Sequence, residues 1–81
     1  MNNYILLDKK ENLKHVKSLI NKLKMKKTLE NYRTKIWEND DIQISIDRLI
    51  IRILIYSKKD IEYYLKLFAK ENKKNVKIYK R

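Results

Sequence analysis

The chain has 81 residues and a formal net charge of +11, with 21 Lys and Arg against 10 Asp and Glu. This length fits a single domain, 1–81, and the excess of cations predicts attraction to a polyanion, either nucleic acid or an anionic membrane surface. The absence of Cys excludes disulfides, thiol catalysis and thiolate metal sites. No apolar run approaches the ~18 residues of a membrane span, and no secretory signal is evident, so we expect a cytoplasmic protein.

The first third of the chain predicts a strand followed by a helix. Tyr4-Ile5-Leu6-Leu7 is a short apolar run suited to a buried strand. Asp8, with Glu11 three residues later, has the pattern of a helix capping box. Apolar residues then recur at helical spacing as far as Leu23, which predicts a helix from about 9 to 25.

The middle of the chain predicts a β-hairpin. Residues 28–40 have no convincing period and are open to either loop or strand. Apolar and polar residues alternate over 42–46, and the parity of the apolar positions then switches for 49–55. A reversal near 47–48 explains the switch, because a one-residue slip turns every side chain over. The strand 49–56 is apolar on both sides, so we expect a central strand with both faces at least partly covered.

The last part of the chain predicts a second helix and an edge strand. Ser57 and Asp60 form another capping pattern, and the helix runs from about 58 to 72. Residues 76–79 alternate weakly and close the fold. The element order is strand, helix, strand, strand, helix, strand. It predicts an α+β two-layer sandwich with one antiparallel sheet and two helices on one face. The apolar face of the second helix is formed by Ile61, Tyr64, Leu65 and Phe68.

Positive charge concentrates in the two predicted helices and the C-terminal tail. Residues 1–27 carry a net charge of +6, residues 28–57 carry −1, and residues 58–81 carry +6. If both helices pack on one face of the sheet, their outer faces form one basic surface suited to phosphates. The predicted RNA-binding residues are Lys10, Lys14, Lys17, Lys24, Lys26, Lys27, Lys58, Lys59, Lys66, Lys70, Lys73, Lys74, Lys80 and Arg81.

The sequence has no constellation typical of catalysis or cofactor binding. His15 is the only histidine, and no second metal ligand or triad partner accompanies it. Asp40-Asp41 is typical of a turn, and the lack of Gly excludes a phosphate-cradling loop. We therefore expect no enzyme, no metal, no cofactor and no small-molecule substrate. Three aromatics are expected in the core (Trp37, Tyr64, Phe68), and three are candidates for stacking on unpaired bases (Tyr32, Tyr63, Tyr79).

A set of residues around the second helix carries a family resemblance: Ser57-Lys58-Lys59, Tyr63, Lys66, Phe68, Lys70 and Asn72. They resemble the helix of the eukaryote-specific large-subunit ribosomal protein family numbered twenty-two, and Ile42 to Tyr56 is similar to its central hairpin. That family's loop glycines, last strand and acidic tail are missing, as in a shortened form from an AT-rich genome. The resemblance implies a structural constituent of the large ribosomal subunit that binds ribosomal RNA beside neighbouring ribosomal proteins. The RNA contacts would be made by Lys58, Lys59, Lys66 and Lys70.

Other readings remain open on the sequence. The large-subunit family numbered thirty-eight and the small Alu-domain subunit of the signal recognition particle have a similar element order, and both imply structural RNA binding. A viral or phage nucleic-acid-binding regulatory protein could dimerise through strand 49–56. A small protein-binding inhibitor could add its sheet edge to a partner's sheet. A metal-independent ribonuclease toxin would need a general base, for which His15 and Glu62 are poor candidates.

Overall fold

A computed structural model describes residues 3–56, 61–69 and 76–79 and shows two helices packed on a six-stranded antiparallel sheet. The strands lie in the spatial order β2-β3-β4-β5-β1-β6. The predicted α+β class is confirmed, and the region 28–40, which the sequence left open, holds strand residues on either side of a short loop. The elements are β1 (Asn3–Asp8), α1 (Lys9–Lys22), β2 (Lys26–Glu30), β3 (Lys35–Glu38), β4 (Ile42–Ile46), β5 (Ile50–Ile55), α2 (Ile61–Ala69) and β6 (Val76–Tyr79).

Six of these elements form a βαββαβ core, made of β1, α1, β4, β5, α2 and β6. The core strands lie in the order β4-β5-β1-β6, which is the split βαβ arrangement. The remaining two strands, β2 and β3, form a hairpin inserted between α1 and β4, and they widen the sheet beyond β4. We call residues 26–38 the hairpin extension. The predicted element order is therefore that of the core.

One face of the sheet, the inner face, packs against both helices. Alternate residues of the three central strands are buried there, and α1 adds Val16, Leu19 and Ile20 to the same cluster. Tyr64 and Phe68 add the buried side of α2, as the sequence predicts, whereas the side chains of Ile61 and Leu65 lie outside the described part of the chain. The buried strand residues are Ile5, Leu7, Ile42, Ile44, Ile46, Ile51, Ile53 and Ile55.

The strand β5 is central, as predicted, but its outer face is open in the described part of the chain. Arg52 is exposed, Leu54 is half-buried, and Ile50 is 45% exposed. The reversal before β5 is a two-residue turn, because the Asp47 N–H donates to the Ile50 carbonyl at 3.0 Å. Leu49 therefore lies in the turn and is 77% exposed, so the expectation that it begins the buried alternation is wrong.

The helix α1 begins directly where β1 ends, with no loop between them. Asp8 is the N-cap residue but still pairs with Ile50 in the sheet, and its side chain makes no cap hydrogen bond. The expected capping box is wrong because strand alternation turns the Asp8 side chain to the outer face, away from the helix. The buried Asn12 side chain instead donates from Nδ2 to the Asp8 carbonyl at 2.7 Å.

The helix α1 ends at Lys22, three residues earlier than predicted, in a Schellman motif. Lys24 has φ 53°, in the left-handed region. Its N–H donates to the Asn21 carbonyl at 3.2 Å, and the Met25 N–H donates to the Ile20 carbonyl at 3.2 Å. Glycine normally takes this position, but the chain has none, so a lysine adopts the strained conformation.

Candidate nucleic-acid interface

The outer side of α1 is a basic surface. Lys10, Lys14 and Lys17 are all exposed and lie within one side of the helix, opposite buried Val16 and Ile20. From the first to the third of these lysines the helix rises by about 10 Å, which is enough to meet several successive phosphates. Between residues 9 and 27 the chain carries eight lysines and a single acid, Glu11.

The other predicted contact residues fall into three groups. Lys24 is exposed after the end of α1, and Lys26 and Lys27 are exposed on β2. Lys66 is exposed on α2. The structure thus brings the described lysines to α1, to the strand that follows it, and to α2. The remaining predicted contacts lie outside the described residues: Lys58, Lys59, Lys70, Lys73, Lys74, Lys80 and Arg81.

His15 joins the two helices. Its Nε2 lies 3.0 Å from the Leu67 carbonyl oxygen, and since a carbonyl only accepts, the imidazole donates this bond. The Leu67 carbonyl lies in the last turn of α2, where the helix has no backbone donor to offer it. His15 therefore has the structural contact that a lone histidine is expected to make, and it holds α2 beside the basic side of α1.

Asparagine side chains shape the turns at both ends of β3. The Asn31 Oδ1 accepts the N–H groups of Arg33 and Thr34, each at 2.8 Å, and the Asn31 N–H donates to the Thr34 carbonyl. Asn39 Oδ1 accepts the Asp41 and Ile42 N–H groups at 2.8 and 2.9 Å, which confirms the predicted turn at 40–41. In a chain without Gly or Pro, these bonds hold the turns in place.

A groove with a volume of about 230 Å³ lies between α1 and the hairpin extension. Its cations come from both sides: Lys9 and Lys17 from α1, and Arg33 and Lys35 from the extension. No acidic residue lines it among those that the structure describes. Two aromatic residues, Tyr32 and Trp37, also line it. The full lining is Lys9, Leu13, Lys17, Asn31, Tyr32, Arg33, Lys35, Trp37 and Ile46.

The groove is bordered by a small ion-pair network. Glu30 Oε2 lies 3.4 Å from Lys27 Nζ, and Glu30 Oε1 lies 3.6 Å from Lys35 Nζ. The hydrogen bond and charge of Lys27 lower the pKa of Glu30, with Lys35 adding to the effect. Lys27 also lies over the Trp37 ring, 5.5 Å from its centroid. The one acid at the border is thus an ionised carboxylate shared by two lysines.

Acidic side chains gather at the opposite end of β3. Asp40 and Asp41 form the turn, and Tyr64 donates its hydroxyl to Asp41 Oδ2 at 2.9 Å. Glu38 accepts from the Gln43 side chain. Burial raises the pKa of Tyr56, and the nearby Glu38 charge raises it further. This end of the sheet is therefore unsuited to phosphate, which leaves α1 and the groove as the basic side of the molecule.

The sequence missed three groove cations. Lys9 was not selected on the predicted helix, and Arg33 and Lys35 fall in a region whose net charge is −1. The acids of that region, however, lie mainly at the far turn, so a net charge taken over sequence hid a basic site in space. Trp37 was expected in the core, and it does pack against the core cluster while also lining the groove. Alternation of Lys35 and Trp37 along one strand face was the available signal.

Comparison with known proteins adds no family to this picture. Neither helix is long and apolar enough to cross a membrane within the part of the chain that the structure describes. The same residues contain no cluster of three or more His, Asp or Glu side chains arranged to hold a metal ion. No protein-family model, no curated protein and no solved structure matches this chain.

Proposed function

We propose that this protein is a non-catalytic RNA-binding protein that contacts RNA mainly through phosphates. The observation that carries the proposal is the segregation of charge, since the stretch 9–27 has eight lysines and one acid, and seven of those lysines are exposed. Such an excess on one side of a small domain repels itself and is relieved by a polyanion, with release of counterions from the RNA.

A membrane surface, the other polyanion, fits the packing less well. A helix that binds a bilayer interface lays its apolar face among the lipids. In α1 that face is already occupied, because Val16, Leu19 and Ile20 are buried against the sheet. Only the charged side of α1 remains for a partner, and phosphates suit it without any apolar insertion.

The two protein-binding alternatives also lose support. Dimerisation through the edge of strand 49–56 would need a free strand, but β5 is paired with β4 on one side and β1 on the other. Addition of a partner strand at the edge strand β2 is opposed by a register irregularity between Lys27 and Leu29 and by the lysines there. Nucleic acid remains the better match.

We further propose the large ribosomal subunit as the assembly, on the strength of the family resemblance. Ribosomal RNA in the cytoplasm would then be the partner, with neighbouring ribosomal proteins beside it. Sedimentation of the native protein through a gradient tests this directly. Co-migration with large subunits that is lost at high salt supports it, and migration with free protein at every salt concentration contradicts it.

The RNA-binding proposal is tested with a pair of charge-matched double variants. Lys10→Glu with Lys14→Glu reverses two cations on α1, and Arg48→Glu with Arg52→Glu reverses two away from it. Affinity for a blunt RNA duplex is titrated over a range of salt, and circular dichroism checks the fold. We expect the α1 variant to bind more weakly and to lower the salt slope by about 1.4–1.8, from ~0.7–0.9 per phosphate contact.

The control variant should bind nearly as well as the wild type. If both variants lose the same affinity, net charge alone drives binding and the α1 site is wrong. A wild-type affinity that does not change with salt would contradict phosphate binding altogether. Stronger binding to duplex DNA than to duplex RNA would favour the DNA-binding alternative.

A further inference from the structure

Tyr32 is an exposed aromatic on an ordered loop. Its side chain is 89% exposed, although a phenol ring normally covers apolar surface or is covered by it. The Arg33 guanidinium lies over the ring, 5.2 Å from its centroid. One face of Tyr32 is thus occupied by a cation, and the other is available to a planar partner.

The loop that carries Tyr32 is held on both sides. Asn31 closes it with three hydrogen bonds to Arg33 and Thr34. Thr34 donates its hydroxyl to Asp47 Oδ1 at 2.5 Å, which ties the loop to the turn before β5. A partner that binds there finds the loop already in place, so little ordering entropy opposes the contact.

The groove beside Tyr32 is suited to an anion. Lys9 and Lys17 of α1 face the extension across it, and Lys35 lies on the extension itself. Its volume of about 230 Å³ is below the ~300–1,000 Å³ of pockets that enclose drug-sized ligands. A short stretch of single strand, with one base and its flanking phosphates, fits a groove of this size and charge.

We infer that the groove binds an unpaired nucleotide, whose base stacks on the free face of Tyr32 while Lys9, Lys17 and Lys35 contact its phosphates. This inference rests on the proposed RNA binding and adds to it a preference for single-stranded segments. Stacking on an aromatic is sequence-tolerant, since every base has a π-face. The groove would therefore recognise the absence of pairing rather than a base sequence.

Trp37 supplies an independent reporter of the site. It is the only Trp in the chain, and it lines the same groove as Tyr32. A nucleotide in the groove changes the surroundings of the indole and hence its fluorescence. RNA bound only to the outer side of α1 lies outside the groove and leaves the emission unchanged.

The test compares two RNA probes on the full chain. One is a single strand of about ten uridines, within the ~4–16 nucleotides that one small domain covers. The other is a blunt duplex without unpaired nucleotides. We expect Tyr32→Ala to weaken binding of the single strand by about 5- to 150-fold, the range for loss of one base-aromatic stack. Duplex binding should be unchanged.

Two matched variants accompany the test. Tyr32→Phe keeps the ring and should bind the single strand like the wild type, and Tyr63→Ala removes another exposed tyrosine and should have no effect. The single strand should change Trp37 emission in the wild type. If Tyr32→Ala binds it normally, or if bound strand leaves Trp37 unchanged, the groove inference is overturned while duplex binding still supports the proposed function. If neither probe binds, both fail.

Discussion

The βαββαβ core and the hairpin extension differ in how they are stabilised. Core strands β4 and β5 bury every second residue, and six isoleucines from these two strands are at most 6% exposed. In the extension, all five residues of β2 are exposed, and β3 is half-buried at best. The extension is held by backbone pairing, by an asparagine turn and by the ion pairs of Glu30.

This difference separates folding from binding within one sheet. The core has the buried apolar area that opposes the loss of chain entropy, so its side chains serve the fold. The extension adds little buried area, and its cations and aromatics remain accessible on a rigid edge. A site built on such an edge is positioned by the core without being part of it.

The largest expected effect removes core packing. Phe68→Ala should lower the free energy of unfolding by about 3–5 kcal/mol, because the ring is fully buried and leaves a cavity. Leu29→Ala in the extension, where the side chain is 43% exposed, should cost under about 0.5 kcal/mol. Urea unfolding followed by circular dichroism measures both. Equal losses would show that the extension is part of the cooperative core.

A smaller effect of opposite sign is expected where the core meets the extension. Lys24→Gly relieves a left-handed lysine, which costs about 1–2 kcal/mol, against about 0.4–1 kcal/mol from the greater freedom of unfolded glycine. The net result should be a slightly more stable protein. The control Lys22→Gly removes the same charge inside α1 and should destabilise by about 1 kcal/mol. Destabilisation by both variants would contradict the strain at Lys24.

The smallest effect concerns the ion pairs of the extension. The pKa of Glu30 is lowered from its ordinary value of 4.5, chiefly by Lys27. The carboxylate therefore contributes stability above pH 4.5, and this contribution is lost as the pH falls through the lowered folded-state pKa. Titration by NMR should show the Glu30 midpoint rising toward 4.5 in Lys27→Met. Lys26→Met, which removes the neighbouring charge, should leave it nearly unchanged, and a shift of equal size there would make Lys27 an incidental neighbour.

Much of the core could be predicted, because its signals are local. The period-two isoleucines of β4 and the helical spacing in α1 depend only on neighbours along the chain. Junctions were predicted less well. The Asp8 capping pattern failed because the residue also belongs to a strand, and the end of α1 was missed because a lysine occupies a position where glycine is expected. The extension lacked a readable period because it has no buried face to impose one.

The sequence by itself determined the fold class, the buried faces of both helices and the basic side of α1, since each follows from periodicity and charge within one element. The tertiary structure decided which distant residues meet. It placed Arg33 and Lys35 opposite Lys9 and Lys17, and it joined His15 to the end of α2. These contacts depend on strand order and on the crossing of α1 over the sheet, and no local pattern encodes either, because they arise from the packing of the whole chain.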